Sequence, residues 1–272
     1  MDFVIFARAH GILLDSHPPI GVWRRYATED HPKSRNGAVK FMGDHGFVQN
    51  HATETEVSVW KPDSPLKFDY RMIAESAKNA ELARLKAQKD AASKARWILG
   101  QCQYARHDYL KNKGFPDESV NVWVREGVQI LVIPMYSGGQ LVGCQLIDSD
   151  GTKKFLLGQK TSLAEFVFDN KGIHLYCEGY ATALSVRMAL KNRRNYTIHV
   201  CFSAGNLKKL SEILPGAIIA DNDESGTGER VAIETGQPYW MSDVVGEDAN
   251  DYHQRAGLFK FSQSLTRSLK IF

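Results

Sequence analysis

Cysteine is scarce in this chain and never paired by spacing. The four in 272 residues, Cys102, Cys144, Cys177 and Cys201, form no CxxC pattern, so neither a zinc ribbon nor a disulfide framework is expected, and no zinc. Three sit inside apolar, strand-like runs and read as buried free thiols. No stretch reaches the ~18 to 20 consecutive apolar residues of a bilayer span. The opening MDFVIFARAHGILLD has no basic start ahead of its apolar run and no small-residue cleavage site, which predicts a cytoplasmic chain without a membrane partner. A GxxxxGK[ST] phosphate loop is also missing, so no fused helicase motor is recognisable. Net charge is small, 34 Lys and Arg against 31 Asp and Glu, and the total neither requires nor excludes an acidic partner.

The charges are unevenly spread. Residues 71–113 hold ten Lys or Arg against four acids, whereas residues 216–251 hold nine acids against Arg230 alone. Such a division points to phosphate contact in one place and cations in another, or to two solvated surfaces of opposite sign. From Tyr70 to Leu99 there is neither Gly nor Pro, and Ala, Lys, Arg, Glu and Leu dominate, so a long basic helix ending at Gly100 is predicted.

Four segments follow from the punctuation. Residues 1–68 place turn-rich stretches such as HPPIG, HPKSRNG and MGDHG between short runs (VWRRYA, AVKFM, VSVWK), the pattern of a small β-rich unit, closed by a boundary at Lys61–Pro65. Residues 69–125 read as a basic helical linker. Residues 126–171 carry QILVIPMYS and GQLVGCQLID, then Asp150-Gly151 leading into TKKFLLG, a hairpin-rich subdomain. From residue 172 to 272 the rhythm becomes strand (IHLYC), helix (YATALSVRMAL), strand (TIHVCFS), helix (NLKKLSEIL), strand (AIIAD), helix (GERVAIETG). Short apolar strands alternating with amphipathic helices predict an α/β fold with a parallel sheet and flanking helices.

In such sheets ligands gather beyond the carboxyl ends of the strands. The first strand runs into Glu178, the third into Asp221-Asn222-Asp223, and a later loop carries Gly246-Glu247-Asp248-Ala249-Asn250-Asp251. If the third strand stays extended, Asp221 and Asp223 point the same way. Convergent carboxylates repel one another unless a cation sits among them, and hard oxygen ligands suit Mg²⁺ or Mn²⁺. Divalent-metal phosphoryl transfer is the chemical inference. An EF-hand reading of Asp221-x-Asp223-x-Ser225-Gly226 fails because its twelfth position is Ala232.

This ordered set, Glu178 in CEGYATA, the DxD of IIADND and the acidic loop GEDANDYHQRAG, resembles the Toprim fold, the metal-binding catalytic domain of bacterial primases, topoisomerases and certain nucleases. LVIPM, GQLVGCQLIDSDGTKKFLLG, EGYATALSV and FSAGNLKKL narrow the resemblance to DNA primases of phages, satellite elements and conjugative plasmids, over roughly residues 95–257. The resemblance implies an enzyme, a nucleotidyltransferase that makes short RNA primers on single-stranded DNA from ribonucleoside triphosphates during replication of a mobile element. It further implies a replicative helicase or single-strand-binding protein as partner. Glu178 would handle the proton of the attacking 3′-hydroxyl, Asp221 and Asp223 would hold Mg²⁺ or Mn²⁺ together with Glu178, and Asp248 and Asp251 would complete the site. Lys153, Lys154 and Lys160 would follow the template or the incoming triphosphate.

The chain departs from this pattern in lacking a zinc ribbon, which leaves template selection open. Either the β-rich unit, with Trp23, Arg24, Arg25, Phe41, Phe47 and Trp60, binds single strands by stacking and charge, or those aromatics form its core and a partner does that work. Two other functions stay open, a free-standing Toprim nuclease and a non-catalytic module that binds single strands or recruits a helicase.

Overall fold

The computed structural model describes residues 1–54, 56–63, 70–191 and 195–270. Two compact units are present, Met1–Lys86 and Ala87–Phe272. The boundary expected at Lys61–Pro65 falls partly outside the described residues.

The first unit opens with helix α1 (Phe3–Ala9), N-capped by the Asp2 carboxylate, which accepts the Val4 amide at 2.8 Å. Strands β1 (Arg24–Tyr26), β2 (Gly37–Phe41), β3 (Gly46–Asn50) and β4 (Ser58–Trp60) follow as an antiparallel meander in the order β1-β2-β3-β4. Alternation divides its two faces. Val39, Phe41, Val48 and Trp60 pack against Phe3, Ala7, Ile12 and Leu14 to make the core. Gly46 has to be a glycine here, because a Cβ would stand 2.3 Å from the Phe3 ring. Phe41 and Trp60 are therefore core residues, whereas Trp23 is about half exposed, at 48%.

Helix α2 (Tyr70–Gly100) has the predicted span, 31 residues with no Gly or Pro before the terminal Gly100, and the division between the units falls within it. The segment expected to continue as a helical linker instead forms β5 (Gln103–Ala105), α3 (Asp108–Asn112) and β6 (Val120–Arg125). The reason lies in VNVWVR, whose β-branched and aromatic residues favour an extended strand over a helix. Strands β7 (Val128–Ser137), β8 (Gln140–Ile147) and β9 (Lys153–Phe155) complete an antiparallel sheet ordered β5-β6-β7-β8-β9. The Asp150-Gly151 turn between β8 and β9 is the predicted hairpin, with Gly151 at φ +86° and the Asp148 carboxylate accepting the Thr152 amide at 2.8 Å.

The remaining chain forms β10 (Phe166–Asp169), β11 (Ile173–Cys177), α4 (Tyr180–Ala189), β12 (Tyr196–Val200), α5 (Ala204–Ile213), β13 (Ala217–Ile219), α6 (Thr227–Thr235), β14 (Tyr239–Trp240), α7 (Ala249–Ala256) and α8 (Leu258–Leu269). Its sheet runs β10-β12-β11-β13-β14, parallel except for the β10–β12 pair. The α/β expectation holds, but most strand pairing among the described residues is antiparallel, and the parallel pairs join β12, β11, β13 and β14, apart from one isolated parallel bridge between Ile20 and Phe41. β10 belongs to this sheet rather than to the hairpin-rich segment, because Phe166 and Phe168 need the apolar cover that Tyr180 provides, with ring centroids 5.6 and 5.7 Å away.

Alternation along the buried strands sends side chains to both faces of this sheet. Leu175, Cys177, Ile198, Val200 and Ile219 join Leu184, Val186, Phe261 and Leu265 in one core. Tyr176, Ile218 and Ala220 join Leu207, Val231 and Ala232 in another. With helices on either face, the carboxyl ends of β11 and β13 open at one edge. All four cysteines are free thiols, three of them buried. No helix among the described residues is long and apolar enough to cross a membrane.

Candidate functional site

Glu178 follows β11 directly and precedes α4, while Asp221 lies two residues beyond the end of β13, which is paired in parallel with β11. The two strand ends are neighbours in the sheet, so residues 43 positions apart in sequence meet. A second tie binds the DND segment to the acidic loop: the Asn222 amide donates to the Glu247 carbonyl at 3.1 Å, the Gly246 amide to the Asn222 carbonyl at 2.6 Å, and Asn222 Nδ2 to the Ser242 carbonyl at 3.0 Å.

Asp221 occupies the centre. Its Oδ1 is buried without a hydrogen-bond partner; among the described residues the only other such side-chain oxygen is the Thr28 hydroxyl. Burial, then the charges of Glu178 and Asp248, push its carboxyl up to about 7, against the smaller opposing pull of Lys153. Glu178 is also raised, by burial first and by Asp223, with the Ala204 amide at the start of α5 and Lys153 acting the other way. That amide is aimed by the turn at Phe202, a non-glycine residue at φ +67° whose N–H donates to the Glu178 carbonyl at 3.0 Å.

The other acids are already engaged. Asp223 does not continue an extended strand alongside Asp221, because β13 ends at Ile219 and the chain turns into α6. Its carboxylate accepts the amides of Ser225 at 2.9 Å, Thr227 at 3.3 Å and Gly228 at 3.0 Å, and the Ser225 hydroxyl. Burial raises its pKa, but these donors outweigh burial and hold it below the usual carboxylate range. Asp248 caps α7 by accepting the Asp251 amide at 2.8 Å, and Asp251 returns a bond to the Asp248 amide at 3.4 Å, a reciprocal capping box. Asp251 also pairs with Lys113 at 3.3 Å. Glu247 is taken by Arg255 and by the Ser242 hydroxyl at 2.6 Å.

Among the described residues no three His, Cys, Asp or Glu side chains close into a ready-made metal cage. An all-protein cage is not what Mg²⁺ demands, since it keeps several waters and is held by one or two carboxylates together with substrate phosphates. An unpartnered buried carboxylate oxygen on Asp221, with Glu178 beside it, fits that mode. The orphan atom lacks the counter-charge a cation would supply.

The basic candidates separate. Lys153 and Phe155 share one side of β9 and Lys154 the other. The Phe155 ring meets Phe202 edge-on at 6.2 Å, and Lys153, on the same side of β9, is near enough to Glu178 and Asp221 to pull both carboxyls downward. Lys153 also lines a cleft of about 500 Å³ with Tyr109, Lys113, Asp150, Asp251 and Gln254. Lys160 lies elsewhere, bonded to the Ser137 hydroxyl at 3.0 Å in a cleft of about 750 Å³ shared with Lys89 and Arg96. Arg24 and Arg25 are exposed on β1 in the first unit.

Reading by motif misses Lys113 and Asn250. Asn250 is fully buried, and its Nδ2 donates to the Lys113 carbonyl at 2.9 Å and to the Ser185 hydroxyl at 3.1 Å. Only the Asp-x-x-Asp spacing of the capping box was available in sequence as a signal for this loop's geometry.

No family model matches the chain. Among solved structures it is similar to the primase fragment of the bacteriophage T7 primase-helicase protein, at 14% identity and a TM-score of 0.44, covering 86% of this chain and 95% of that one. It is also similar to a chain from the bacteriophage T7 lagging-strand DNA polymerase interacting with primase domains of two gp4 subunits bound to an RNA/DNA hybrid and dTTP. That likeness has 16% identity and a TM-score of 0.44, over 62% of this chain and 92% of that one. Both likenesses are distant.

Proposed function

We propose that the chain is a Toprim-type DNA primase that joins ribonucleoside triphosphates into short RNA primers on a single-stranded DNA template in the replication of a mobile element. The observation that carries this reading is the buried, unpartnered Oδ1 of Asp221 beside Glu178, at the edge where two parallel strands end. A binding surface for nucleic acid has no use for carboxylates that raise one another's pKa, whereas phosphoryl transfer does.

Glu178 and Asp221 are the residues that would hold Mg²⁺ or Mn²⁺, with Asp223 and Asp248 adding negative charge around them. Asp251, tied to Lys113, stands outside that innermost pair. When bound, the ions neutralise charge on the transferring phosphate. Glu178, made more basic by burial, accepts the proton of the attacking 3′-hydroxyl. Lys153 contacts the triphosphate, and Lys160 in its separate cleft contacts template phosphates, which adds affinity without sequence information. A helicase or single-strand-binding protein is the expected partner.

The test incubates the purified chain with single-stranded DNA, labelled ribonucleotides and Mg²⁺ or Mn²⁺, with Asp221→Asn alongside. Short labelled products from the wild type and none from the variant are expected. Equal products from both would overturn the site, and metal-dependent shortening of the template would replace the primase reading with a nuclease.

A further inference from the structure

The outer face of the N-terminal sheet carries an arrangement that the packing of that unit does not use. Residues directly opposite in an antiparallel pair share a face. Lys40 stands opposite Phe47, and Phe47 opposite Val59; Arg25 stands opposite Ala38, and Ala38 opposite Gln49. All six are on the side away from Val39, Val48 and Trp60, which fill the core with α1. Trp23, just before β1, brings its ring to 6.1 Å from Phe47, and His45 meets Phe47 edge-on at 5.3 Å. Trp23 is 48% and Val59 52% exposed.

This face therefore presents the half-exposed Trp23 and the part-buried Phe47 beside two cations; none of its six strand positions is acidic, and Asp44 at its edge is bonded to His45 at 2.6 Å. Exposed aromatics on a sheet are normally withdrawn into a core or covered. Here Phe41 and Trp60 already fill the core, so Trp23 and Phe47 are surplus to it. Every base has a π-face, so paired rings accept stacked bases of any sequence, and neighbouring Lys and Arg side chains follow the backbone. Duplex DNA keeps its bases stacked on one another and cannot use such rings.

We propose that this outer face is a platform for single-stranded nucleic acid, on which unpaired bases stack against Trp23 and Phe47 while Arg25 and Lys40 meet the backbone phosphates. It supplies, without zinc, the template grip that the acidic site lacks. The proposal extends the primase reading but stands apart from it, because binding is measured without nucleotides or metal.

The experiment titrates the full chain into fluorescein-labelled oligothymidylate in EDTA and follows anisotropy, with a DNA duplex of equal length as competitor. Trp23→Ala and Phe47→Ala should each weaken binding, roughly 5- to 50-fold on the scale of one lost base stack, while Trp23→Phe restores most of the affinity. Arg25→Gln with Lys40→Gln should make the salt dependence of the affinity shallower by roughly one to two log–log units. An unchanged thermal transition for Trp23→Ala separates lost contact from lost fold. Wild-type affinity in the Trp23→Ala/Phe47→Ala double variant overturns the proposal. So does equal competition by duplex, or a concentration-dependent dimer that the double variant abolishes while oligonucleotide binding persists. Absence of primer synthesis by the wild type would sink the catalytic reading and leave this result unaffected.

Discussion

Asp221 links the chemistry of one carboxyl to the stability of the whole fold. Its pKa in the folded chain, about 7, lies above the ordinary 3.8, so the folded protein binds the proton more tightly than the unfolded chain does. The contribution is fully present below the unfolded value and is lost as pH rises through about 7. In the absence of divalent ions, wild type should therefore melt at lower temperature at pH 8 than at pH 5 relative to Asp221→Asn, by on the order of 1–4 kcal/mol at most. A difference between the two proteins that stays constant across that range would show that Asp221 is not held protonated. Added Mg²⁺ should narrow the gap at pH 8, because a cation offsets the same charge.

At the scale of elements, the site depends on two close approaches. Gly228, in the first turn of α6, donates its amide to Asp223, and a Cβ there would lie 2.1 Å from the Asp221 carbonyl oxygen. Gly228→Ala should displace the DND segment from α6 and destabilise the chain by about 1–3 kcal/mol, read as a lower midpoint in urea. The second approach is the Phe155–Phe202 contact, which joins β9 to the turn after β12. Phe155→Ala should cost about 1 kcal/mol or less in stability, since Phe155 is 43% exposed, and on the proposed function it should lower primer synthesis by loosening the position of Lys153. Full synthesis by that variant would show that Lys153 does not need the aromatic contact.

Across the whole molecule, the four thiols report on folding. Burial pushes Cys102 up to about 11 and Cys144 up to about 12, and Cys177 and Cys201 are raised well beyond the usual thiol range, again by burial. Thiolate is the reactive form, so the native chain should titrate almost no thiol with a disulfide reagent at pH 8 and all four after denaturation. Rapid native modification of Cys177 would place the β11 strand at the surface and contradict the core that contains it.

Periodicity and punctuation alone determined α2, the β8–β9 hairpin and the alternation of β11, α4, β12, α5, β13 and α6, because each is specified by local propensity, a turn residue or a repeating apolar pattern. They also placed Glu178 and Asp221 at strand ends, where a parallel sheet must bring them together. Weaker local signals misled. Residues 101–125 read as part of a basic helical linker because β5 is only three residues long and Lys and Arg continue past Gly100, and β10 could not be assigned to a sheet whose other strands lie further along the chain. Local contacts decide which acids are engaged, and only tertiary structure leaves Asp221 buried without a partner beside Glu178, at two neighbouring strand ends. Asp223 is spent on the first turn of α6, Asp248 and Asp251 on capping α7, and Glu247 on Arg255, because helix N-termini and a nearby guanidinium compete for carboxylates. Tertiary structure also separates Phe47 from Phe41 and Trp60, by the face of the sheet that strand register assigns each, while Trp23 lies just before β1 with its ring 6.1 Å from that of Phe47. Local sequence names the groups a chain carries and the caps that engage some of them, whereas the burial of Asp221 beside Glu178 depends on strands far apart along the chain.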